Sequence, residues 1–191
     1  MGNQGRPVYG PMPPGSRTAW VPPRLLSALP SRVPLTILRG PRGYGKTTAI
    51  VHWLTTAADG VRTVYLPLDA SAQRAEHFWT TLAGALTEAG IPVGEPATTG
   101  TPDEAVQRAL LEHGEPLRLV IDNYHEAGHR DARLAVDEAL LETLRASADL
   151  EIVALTRGLR TLETTGALSV DTFVLRPADL AMRPEDTVAL A

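Results

Sequence analysis

Short apolar segments alternate along the chain with longer segments in which apolar residues recur at helical spacing. Five short runs rich in β-formers predict strands over residues 35–38, 61–68, 117–121, 151–155 and 172–175. The helical spacing predicts helices over residues 47–58, 73–89, 101–113 and 131–147. Thr101 and Glu104 fit a capping box at the start of the third helix. Because strands that alternate with such helices form parallel, helix-covered sheets, the pattern predicts an α/β fold with a mainly parallel five-stranded sheet.

The two ends of the chain lack this alternation. Residues 1–23 contain six prolines and four glycines without a periodic apolar pattern, which predicts a flexible leader. The domain is then expected over residues 24–178. Arg183-Pro184-Glu185-Asp186 is typical of a helix start close to the last residue, which suggests that the sequence is part of something longer.

Composition narrows the class of protein. With 191 residues, 43% hydrophobic and 21% charged, the chain has the size and composition of one globular domain. The net charge of −4 argues against a nucleic-acid surface built from excess basic charge. The absence of cysteine excludes disulfides, thiolate metal sites and cysteine nucleophiles. No apolar run has the length of a membrane span and no signal peptide is evident, so we expect a cytoplasmic protein without a membrane partner.

One segment between a predicted strand and a predicted helix matches a phosphate-binding motif. Its sequence is Gly40-Pro41-Arg42-Gly43-Tyr44-Gly45-Lys46-Thr47-Thr48. The first eight residues fit G-x-x-x-x-G-K-[ST], in which glycines let backbone N–H groups converge on phosphate oxygens at a helix N-terminus. We expect Lys46 at the β- and γ-phosphates, Thr47 at Mg²⁺ and Thr48 at the α-phosphate. Lys46 is the only lysine among 18 basic residues, which suggests that this position needs a compact ammonium group.

A second metal-site residue is expected at the end of another strand. Asp122 follows the apolar run 117–121, the position from which a P-loop NTPase holds Mg²⁺ together with the loop threonine, here Thr47. The strand over 61–68 suggests that another strand separates these two in the sheet, an arrangement that GTPases lack. A guanine-binding Asn-Lys-x-Asp motif would need a second lysine, so the expected ligands are ATP and ADP with Mg²⁺.

Three further residues are candidates for the chemistry of ATP hydrolysis. ATPases of this layout usually carry Glu or Asp directly after the strand-end Asp, but Asn123 stands here, and an amide orients water without accepting its proton. Glu126 substitutes if the loop turns inward. Arg157 follows the strand over 151–155 and is expected to contact the γ-phosphate from the same sheet edge. We therefore expect ATP hydrolysis to be slow or absent.

Several segments resemble the nucleotide-binding domain of the MalT-like, large LuxR-type transcriptional regulators, which are signal-transduction ATPases with numerous domains. The segments are Pro23-Arg24-Leu25-Leu26, the loop over residues 40–48, Trp53-Leu54, Leu66-Pro67-Leu68-Asp69, His77-Phe78-Trp79, Asp122-Asn123-Tyr124-His125 and Leu155-Thr156-Arg157. The resemblance runs from about residue 21 to residue 191. It implies an AAA-like P-loop ATPase with a three-layer α/β fold, helices covering both faces of the sheet.

The resemblance also implies a switch. In such proteins ATP with an inducer favours an open form that self-associates through the NTPase domain, and ADP favours a closed monomer. DNA is bound there through a C-terminal helix-turn-helix domain, which this sequence does not contain. Residues 179–191 correspond to the first turns of the family's helical lid, and Arg24 lies near its nucleotide-contacting N-terminal segment. The second Asp usual in the family is replaced by Asn123, which affects hydrolysis more than binding.

Three other interpretations remain open at this point. His125-Glu126-Ala127-Gly128-His129 spells the H-E-x-x-H pattern of zinc peptidases, although Gly128 lies inside the motif and the pattern requires a helix. A small P-loop kinase has a similar length, but it needs an arginine-bearing lid, for which Arg157 and Arg160 are a sparse set. The third alternative is a non-catalytic interaction remnant that binds no nucleotide.

Overall fold

Parallel strands form the centre of the computed structural model, which describes residues 8–11, 20–56, 59–94, 100–129 and 131–188. The strands of this described part are β1 (Val8–Tyr9), β2 (Leu35–Arg39), β3 (Arg62–Pro67), β4 (Leu117–Asp122), β5 (Leu150–Thr156) and β6 (Thr172–Leu175). They join in one six-stranded sheet in the order β1-β3-β4-β5-β2-β6. Every neighbouring pair is parallel. The five predicted strands and the α/β class are therefore confirmed, with one strand added.

The added strand lies in the segment that the sequence predicted to be a flexible leader. Val8 and Tyr9 pair with Thr63 and Val64 of β3, at one edge of the sheet. The prediction of a leader outside the fold is therefore wrong for these two residues, because a strand of this length leaves no periodic signal. It is also wrong at Pro23, which begins a helix. Residues 1–7 and 12–19 lie outside the described part of the chain.

Helices connect and flank the strands. In the described residues they are α1 (Pro23–Ala28), α2 (Lys46–Thr56), α3 (Ala75–Glu88), α4 (Pro102–Glu112), α5 (Asp131–Ala146), α6 (Thr161–Ser169), α7 (Pro177–Leu180) and α8 (Pro184–Val188). Helices α2 to α5 confirm the four predicted helices. The capping box of α4 is also confirmed, since the Thr101 N–H donates to the Glu104 carboxylate over 3.1 Å. Helix α8 begins at Pro184 as expected, whereas α1, α6 and α7 were not predicted.

Both faces of the sheet are covered, which gives three layers. Side chains alternate along each strand, so that Val64 and Leu66 face one helical layer while Tyr65 faces the other. The first layer contains α3, α4, α5 and the start of α6, and the second contains α1, α2 and α7. A core of buried aliphatic and aromatic side chains therefore lies on each face and fixes the sheet between them.

The parallel arrangement brings the carboxyl ends of the strands to one edge. Strand β5 lies between β2 and β4, which confirms that another strand separates the glycine-loop strand from the Asp122 strand. At this edge the Gly40 N–H donates to the Thr156 carbonyl over 3.1 Å, and the Leu68 N–H donates to the Asp122 carbonyl over 2.9 Å. The loops that leave β2, β3, β4 and β5 are thus tied together where ligands bind in such sheets.

The opposite edge of the sheet holds a buried arginine that is structural. Arg118, near the start of β4, pairs with Asp59 over 2.6 Å and with Glu151 over 2.7 Å. Its guanidinium carbon lies 4.4 Å from the centre of the Trp53 ring. Two carboxylates and an aromatic face thus compensate the buried charge, far from the carboxyl edge of the same strand.

Candidate functional site

The glycine loop connects β2 to α2 in the way its motif requires. Gly43 has a φ of +88° and Gly45 a φ of +71°, a backbone region that L side chains rarely adopt. Pro41, Arg42 and Tyr44 are exposed on the loop, and Gly40 is buried at its start. Because the Ala49 N–H already pairs with the Gly45 carbonyl over 2.8 Å, the first helical turn begins directly after the loop. The amides of this first turn have no partners within the helix and suit an anion.

The Lys46 ammonium closes the loop on itself. Its Nζ donates to the Gly40 carbonyl over 2.6 Å and to the Pro41 carbonyl over 2.9 Å. Burial lowers the pKa of Lys46 below its ordinary value; Asp122 opposes this effect and Arg157 adds to it. The only lysine of the chain therefore lies in the glycine loop, where the charges of Asp122 at the end of β4 and of Arg157 after β5 act on it.

Thr47 and Asp122 meet at the start of α2. The Thr47 hydroxyl donates to Asp122 Oδ2 over 2.9 Å, and the Tyr65 hydroxyl donates to the same oxygen over 2.7 Å. The other oxygen of Asp122 accepts the Asn123 N–H over 2.8 Å. Burial and the neighbouring Asp122 raise the pKa of Tyr65 well above its ordinary value, so this phenol stays protonated and donates. Tyr65 was not predicted as part of the site, because its place in a β-rich run gave no sign of this contact.

Asn123 is held by the backbone on one side of the site. Its φ of +57° and ψ of +39° are left-handed, a conformation that Asn adopts more readily than most residues. Its side-chain amide donates to the Leu68 carbonyl over 3.2 Å. Asn123 therefore links the ends of β3 and β4 in addition to following the strand-end acid.

Glu126 is also engaged by a neighbour. It ends a short 3₁₀ turn (Tyr124–Glu126), and its carboxylate accepts a hydrogen bond from Gln73 Nε2 over 2.9 Å. Gln73 ends a second 3₁₀ turn (Ala70–Gln73) that follows β3. The Glu126 carboxylate thus contacts the loop that follows β3, and its part in hydrolysis stays a prediction.

Two arginines follow β5 and have different environments. Arg157 is exposed at the end of the strand, and its charge acts on both Lys46 and His125. Arg160 is buried, 4% exposed, and pairs with Asp137 over 2.6 Å. A lid arginine of a kinase closes over phosphates, which this buried Arg160 cannot do while it is paired inside the domain. Of the two arginines considered for a kinase lid, only Arg157 is therefore exposed.

A cavity of about 420 Å³ opens beside the glycine loop. The loop, the segment before α1 and the end of α7 enclose it, and its lining residues are Trp20, Val21, Pro22, Leu25, Gly43, Tyr44, Gly45, Thr48, Ala49, Leu180, Ala181 and Met182. Most of these side chains are apolar or aromatic, and Thr48 adds a hydroxyl. The cavity therefore lies directly beside the glycine loop, and its apolar lining suits a flat organic group.

Arg24 joins the two segments that border this cavity. Its guanidinium donates to the Asp179 carbonyl over 2.6 Å, to the Ala181 carbonyl over 2.7 Å and to the Asp186 carboxylate over 2.7 Å. Arg24 does not line the cavity. Arg24 therefore ties α1 to the segment over residues 179–186 on the side of the cavity, and its expected contact with a nucleotide stays a prediction.

The H-E-x-x-H residues do not form a zinc site. His125 and Glu126 lie in the 3₁₀ turn, Gly128 has a φ of +67° and His129 lies outside any helix. The two histidines therefore do not share a helix face. Within the described ranges no group of three or more His, Cys, Asp or Glu side chains is placed to hold a metal ion.

A strand, a glycine loop and a helix that carries Lys46 and Thr47, with Asp122 on a strand two places away in a parallel sheet, define a P-loop NTPase. The comparison with known families gives a narrower assignment. The family model described as an AAA domain matches residues 31–162, more than half of the chain. The chain belongs to this AAA domain family.

Several solved structures share this fold with the chain. Orc1 of Aeropyrum pernix, in complex with DNA, has a TM-score of 0.54 and 18% identity, with 79% of this chain and 43% of that chain covered. Cdc6p of Pyrobaculum aerophilum has a TM-score of 0.50 and 18% identity, with 73% of this chain and 38% of that chain covered. A Walker-type ATPase of Pyrococcus abyssi has a TM-score of 0.50 and 17% identity, with coverages of 87% and 54%.

The chain thus spans about half or less of the length of these proteins. At such identities the likeness shows the fold alone. The search of curated proteins found no match. Among the described helices, none combines the length and the apolar character needed to cross a membrane.

Proposed function

We propose that the chain is an ATP/ADP-binding switch domain of a LuxR/MalT-type transcriptional regulator, with slow or absent ATP hydrolysis. The nucleotide part rests on one observation, the 2.9 Å hydrogen bond from Thr47 to Asp122 at the first turn after the glycine loop. The bond joins the loop threonine to the strand-end acid, the two residues with which P-loop proteins hold Mg²⁺. The regulator part rests on the sequence resemblance.

The phosphate groups fit the glycine loop and its lysine. The amides of the loop and of the first turn of α2 suit phosphate oxygens, and the Lys46 ammonium would exchange its contacts with the Gly40 and Pro41 carbonyls for the β- and γ-phosphates. Gly40, Pro41, Arg42, Gly43, Tyr44 and Gly45 would contribute their backbone to this cradle. Exposed Arg157 would contact the γ-phosphate from the end of β5.

The donor set beside the loop fits Mg²⁺. Hydroxyl and carboxylate oxygens are the protein ligands that this ion prefers, and Thr47 and Asp122 bring one of each to the same point. These two residues would hold the ion directly or through its water. When bound, Mg²⁺ supplies positive charge that stabilises the β- and γ-phosphate oxygens.

The cavity beside the loop suits the adenine and ribose. Its volume of about 420 Å³ falls in the range of small-molecule pockets, and the exposed faces of Trp20 and Tyr44 suit stacking against a base. Thr48, in the first turn of α2, lines this cavity and would contact the α-phosphate. Since the chain has no Asn-Lys-x-Asp motif to recognise guanine, adenine nucleotides are the proposed ligands.

Slow hydrolysis follows from the residue after the strand-end acid. Asn123 cannot accept a proton from water, and its amide already donates to the Leu68 carbonyl. Glu126, the other proposed participant, is bonded to Gln73. These contacts favour a site that holds its nucleotide for long periods, which is the property that a nucleotide-dependent switch needs.

The regulator role places this domain within a larger system. In this proposal ATP favours self-association through the NTPase domain, the segment over residues 179–191 starts a helical lid, and DNA is bound by a separate C-terminal domain that these 191 residues do not contain. The proposed location is the cytoplasm, where both ATP and the regulated DNA of such a protein are found.

A calorimetric titration with Mg-ATP, Mg-ADP and Mg-GTP tests the nucleotide part. We expect adenine nucleotides to bind and Mg-GTP to bind more weakly. Lys46→Ala should lower the affinity for Mg-ATP roughly 10- to 100-fold, because the phosphates lose their main cation. Arg74→Ala, at a residue whose side chain is 82% exposed, is the matched control and should bind like the wild type. No binding of any nucleotide by the wild type would overturn the proposal.

The regulator part has its own test, which needs only the DNA that follows codon 191. We expect the reading frame to continue into helical segments and a helix-turn-helix. A stop codon directly after codon 191 would contradict the regulator role while leaving nucleotide binding untouched.

A further inference from the structure

Tyr65 is a buried tyrosine that contacts the strand-end acid Asp122 from the core side. It lies in β3, where its backbone pairs with Val120 of β4, and both side chains belong to the core between the sheet and α2. Asp122 comes two positions after Val120, so its side chain leaves the same face of the sheet. The strand register therefore places the Tyr65 ring where its hydroxyl can reach the Asp122 carboxylate.

The Asp122 carboxylate accepts hydrogen bonds from three donors among the described residues. The hydroxyls of Tyr65 and Thr47 donate to Oδ2 over 2.7 Å and 2.9 Å, and the Asn123 N–H donates to Oδ1 over 2.8 Å. An ionised carboxylate has about four acceptor positions. These contacts therefore leave about one position for a cation or for a water molecule bound to it.

The three donors differ in how firmly the protein holds them. Thr47 begins α2 beside the glycine loop, so its hydroxyl oxygen is itself exposed to a bound ion. The Asn123 donor is a backbone amide next to Asp122 and does not depend on a side chain. The Tyr65 side chain is 0% exposed, and its ring is packed in the core. Tyr65 is therefore the donor whose side chain is fixed by packing and lies away from the ligand.

A fixed carboxylate matters most for a small cation. Mg²⁺ requires nearly ideal octahedral geometry with ligands at about 2.0–2.1 Å, whereas Ca²⁺ accepts flexible arrangements of oxygen ligands at about 2.3–2.6 Å. Hydrogen bonds to a carboxylate that holds a metal fix its orientation and tune the metal affinity. We propose that Tyr65 is a positioning residue whose hydroxyl holds Asp122 in the orientation that selects Mg²⁺ over Ca²⁺ beside the nucleotide. This inference rests on the proposed function, since the ion is bound together with the phosphates.

Calorimetric titrations of ATP in chelator, in Mg²⁺ and in Ca²⁺ test this role without any measurement of hydrolysis. We expect the wild type to gain more affinity from Mg²⁺ than from Ca²⁺. Tyr65→Phe keeps the ring and removes only the hydroxyl. It should lower the Mg²⁺ gain roughly 10-fold, while the Ca²⁺ gain and the affinity in chelator stay within about threefold of the wild type.

The matched control removes a second buried tyrosine hydroxyl. Tyr124 is also 0% exposed, and its hydroxyl donates to Asp137 in the core on the other face of the sheet. Tyr124→Phe should therefore lose stability, as Tyr65→Phe does, but keep the Mg²⁺ gain of the wild type. Urea denaturation of both variants establishes that each is folded and how much stability each has lost.

Each other outcome has a defined meaning. An unchanged Mg²⁺ gain in Tyr65→Phe overturns the inference. Equal losses of the Mg²⁺ and Ca²⁺ gains, or the same loss of Mg²⁺ gain in Tyr124→Phe, also overturn it, because they would mark a general structural role. A wild type that binds ATP without preferring Mg²⁺ to Ca²⁺ overturns the inference and leaves the proposed nucleotide binding intact. A wild type that binds no nucleotide overturns both.

Discussion

Thr47 donates its hydroxyl hydrogen to Asp122 over 2.9 Å, although 75 positions separate the two residues in the sequence. The bond connects the first turn of α2 to the end of β4 across the intervening strand β5. This contact within the protein holds the Thr47 hydroxyl and the Asp122 carboxylate next to each other. The geometry of the proposed ion site is therefore a property of the fold itself.

The charge of Asp122 should determine how far Mg²⁺ strengthens ATP binding. Asp122→Asn preserves the size of the side chain and removes the charge that would attract the ion. We expect the variant to bind ATP equally in Mg²⁺ and in chelator, whereas the wild type should bind more tightly in Mg²⁺. Calorimetric titrations under both conditions measure this. Asp149→Asn, at an exposed position, serves as the control, and a full Mg²⁺ effect in Asp122→Asn would argue against the metal role.

Tyr65 should stabilise the domain through the same carboxylate. Tyr65→Phe removes the 2.7 Å hydrogen bond to Asp122 and leaves the ring packed in the core. We expect the free energy of unfolding to fall by about 1 kcal/mol, the usual contribution of a buried hydrogen bond. Urea denaturation of this variant and of Tyr44→Phe, at an exposed tyrosine, provides the comparison. Equal stability of Tyr65→Phe and the wild type would mean that the bond contributes nothing net.

An acid at position 123 should raise ATP turnover. Asp tolerates the left-handed backbone of Asn123, but it cannot donate to the Leu68 carbonyl, so its carboxylate is repelled from that oxygen. Asn123→Asp should therefore lose about 1 kcal/mol of stability and gain hydrolysis rate more than affinity. Asn123→Gly keeps the backbone conformation without supplying a base. If both variants hydrolyse at the wild-type rate, the missing acid does not limit turnover.

Asp186 should contribute stability that depends on pH in a known direction. Hydrogen bonds from Arg24 hold the pKa of Asp186 below its ordinary value of 3.8. A carboxyl whose pKa is lower in the folded state stabilises fully above its ordinary pKa, and this stability is lost as pH falls through the lower folded value. Asp186→Asn should therefore be less stable than the wild type at pH 5 to 7, with a difference that shrinks below about pH 3.8.

Urea denaturation of both proteins across this pH range measures the effect. Asp171→Asn, at an exposed carboxylate, corrects for the general effect of removing a negative charge. A stability difference that is constant from pH 7 to pH 3 would contradict the assignment to the Asp186 carboxylate.

Local signals in the sequence were enough for the elements and for the glycine loop. The helix of residues 102–112 was marked by its own capping box, and the loop by glycines, which adopt a positive φ more easily than other residues. These features need only neighbours in sequence. The family model at residues 31–162 then agrees with what the loop alone indicated.

Local sequence patterns do not predict contacts between residues that lie far apart in the sequence. Tyr65 bonds to a residue 57 positions away, and Arg24 to one 162 positions away, so no spacing rule marks either of them. The two-residue strand at Val8 is fixed by its pairing with β3, which no pattern inside the strand reveals. The hydrogen bond between Gln73 and Glu126, 53 positions apart, is likewise not indicated by any local pattern.

Trp20 lines the cavity with 36% of its surface exposed, whereas Trp53 and Trp79 are 8% and 5% exposed in the core. The chain has three tryptophans, so the Trp20 indole is the one whose environment a ligand in this cavity would change most. The intrinsic fluorescence of the unlabelled protein should therefore contain a signal that follows occupancy of the cavity in real time. Association and release of a ligand can then be timed in a stopped-flow instrument without any attached dye.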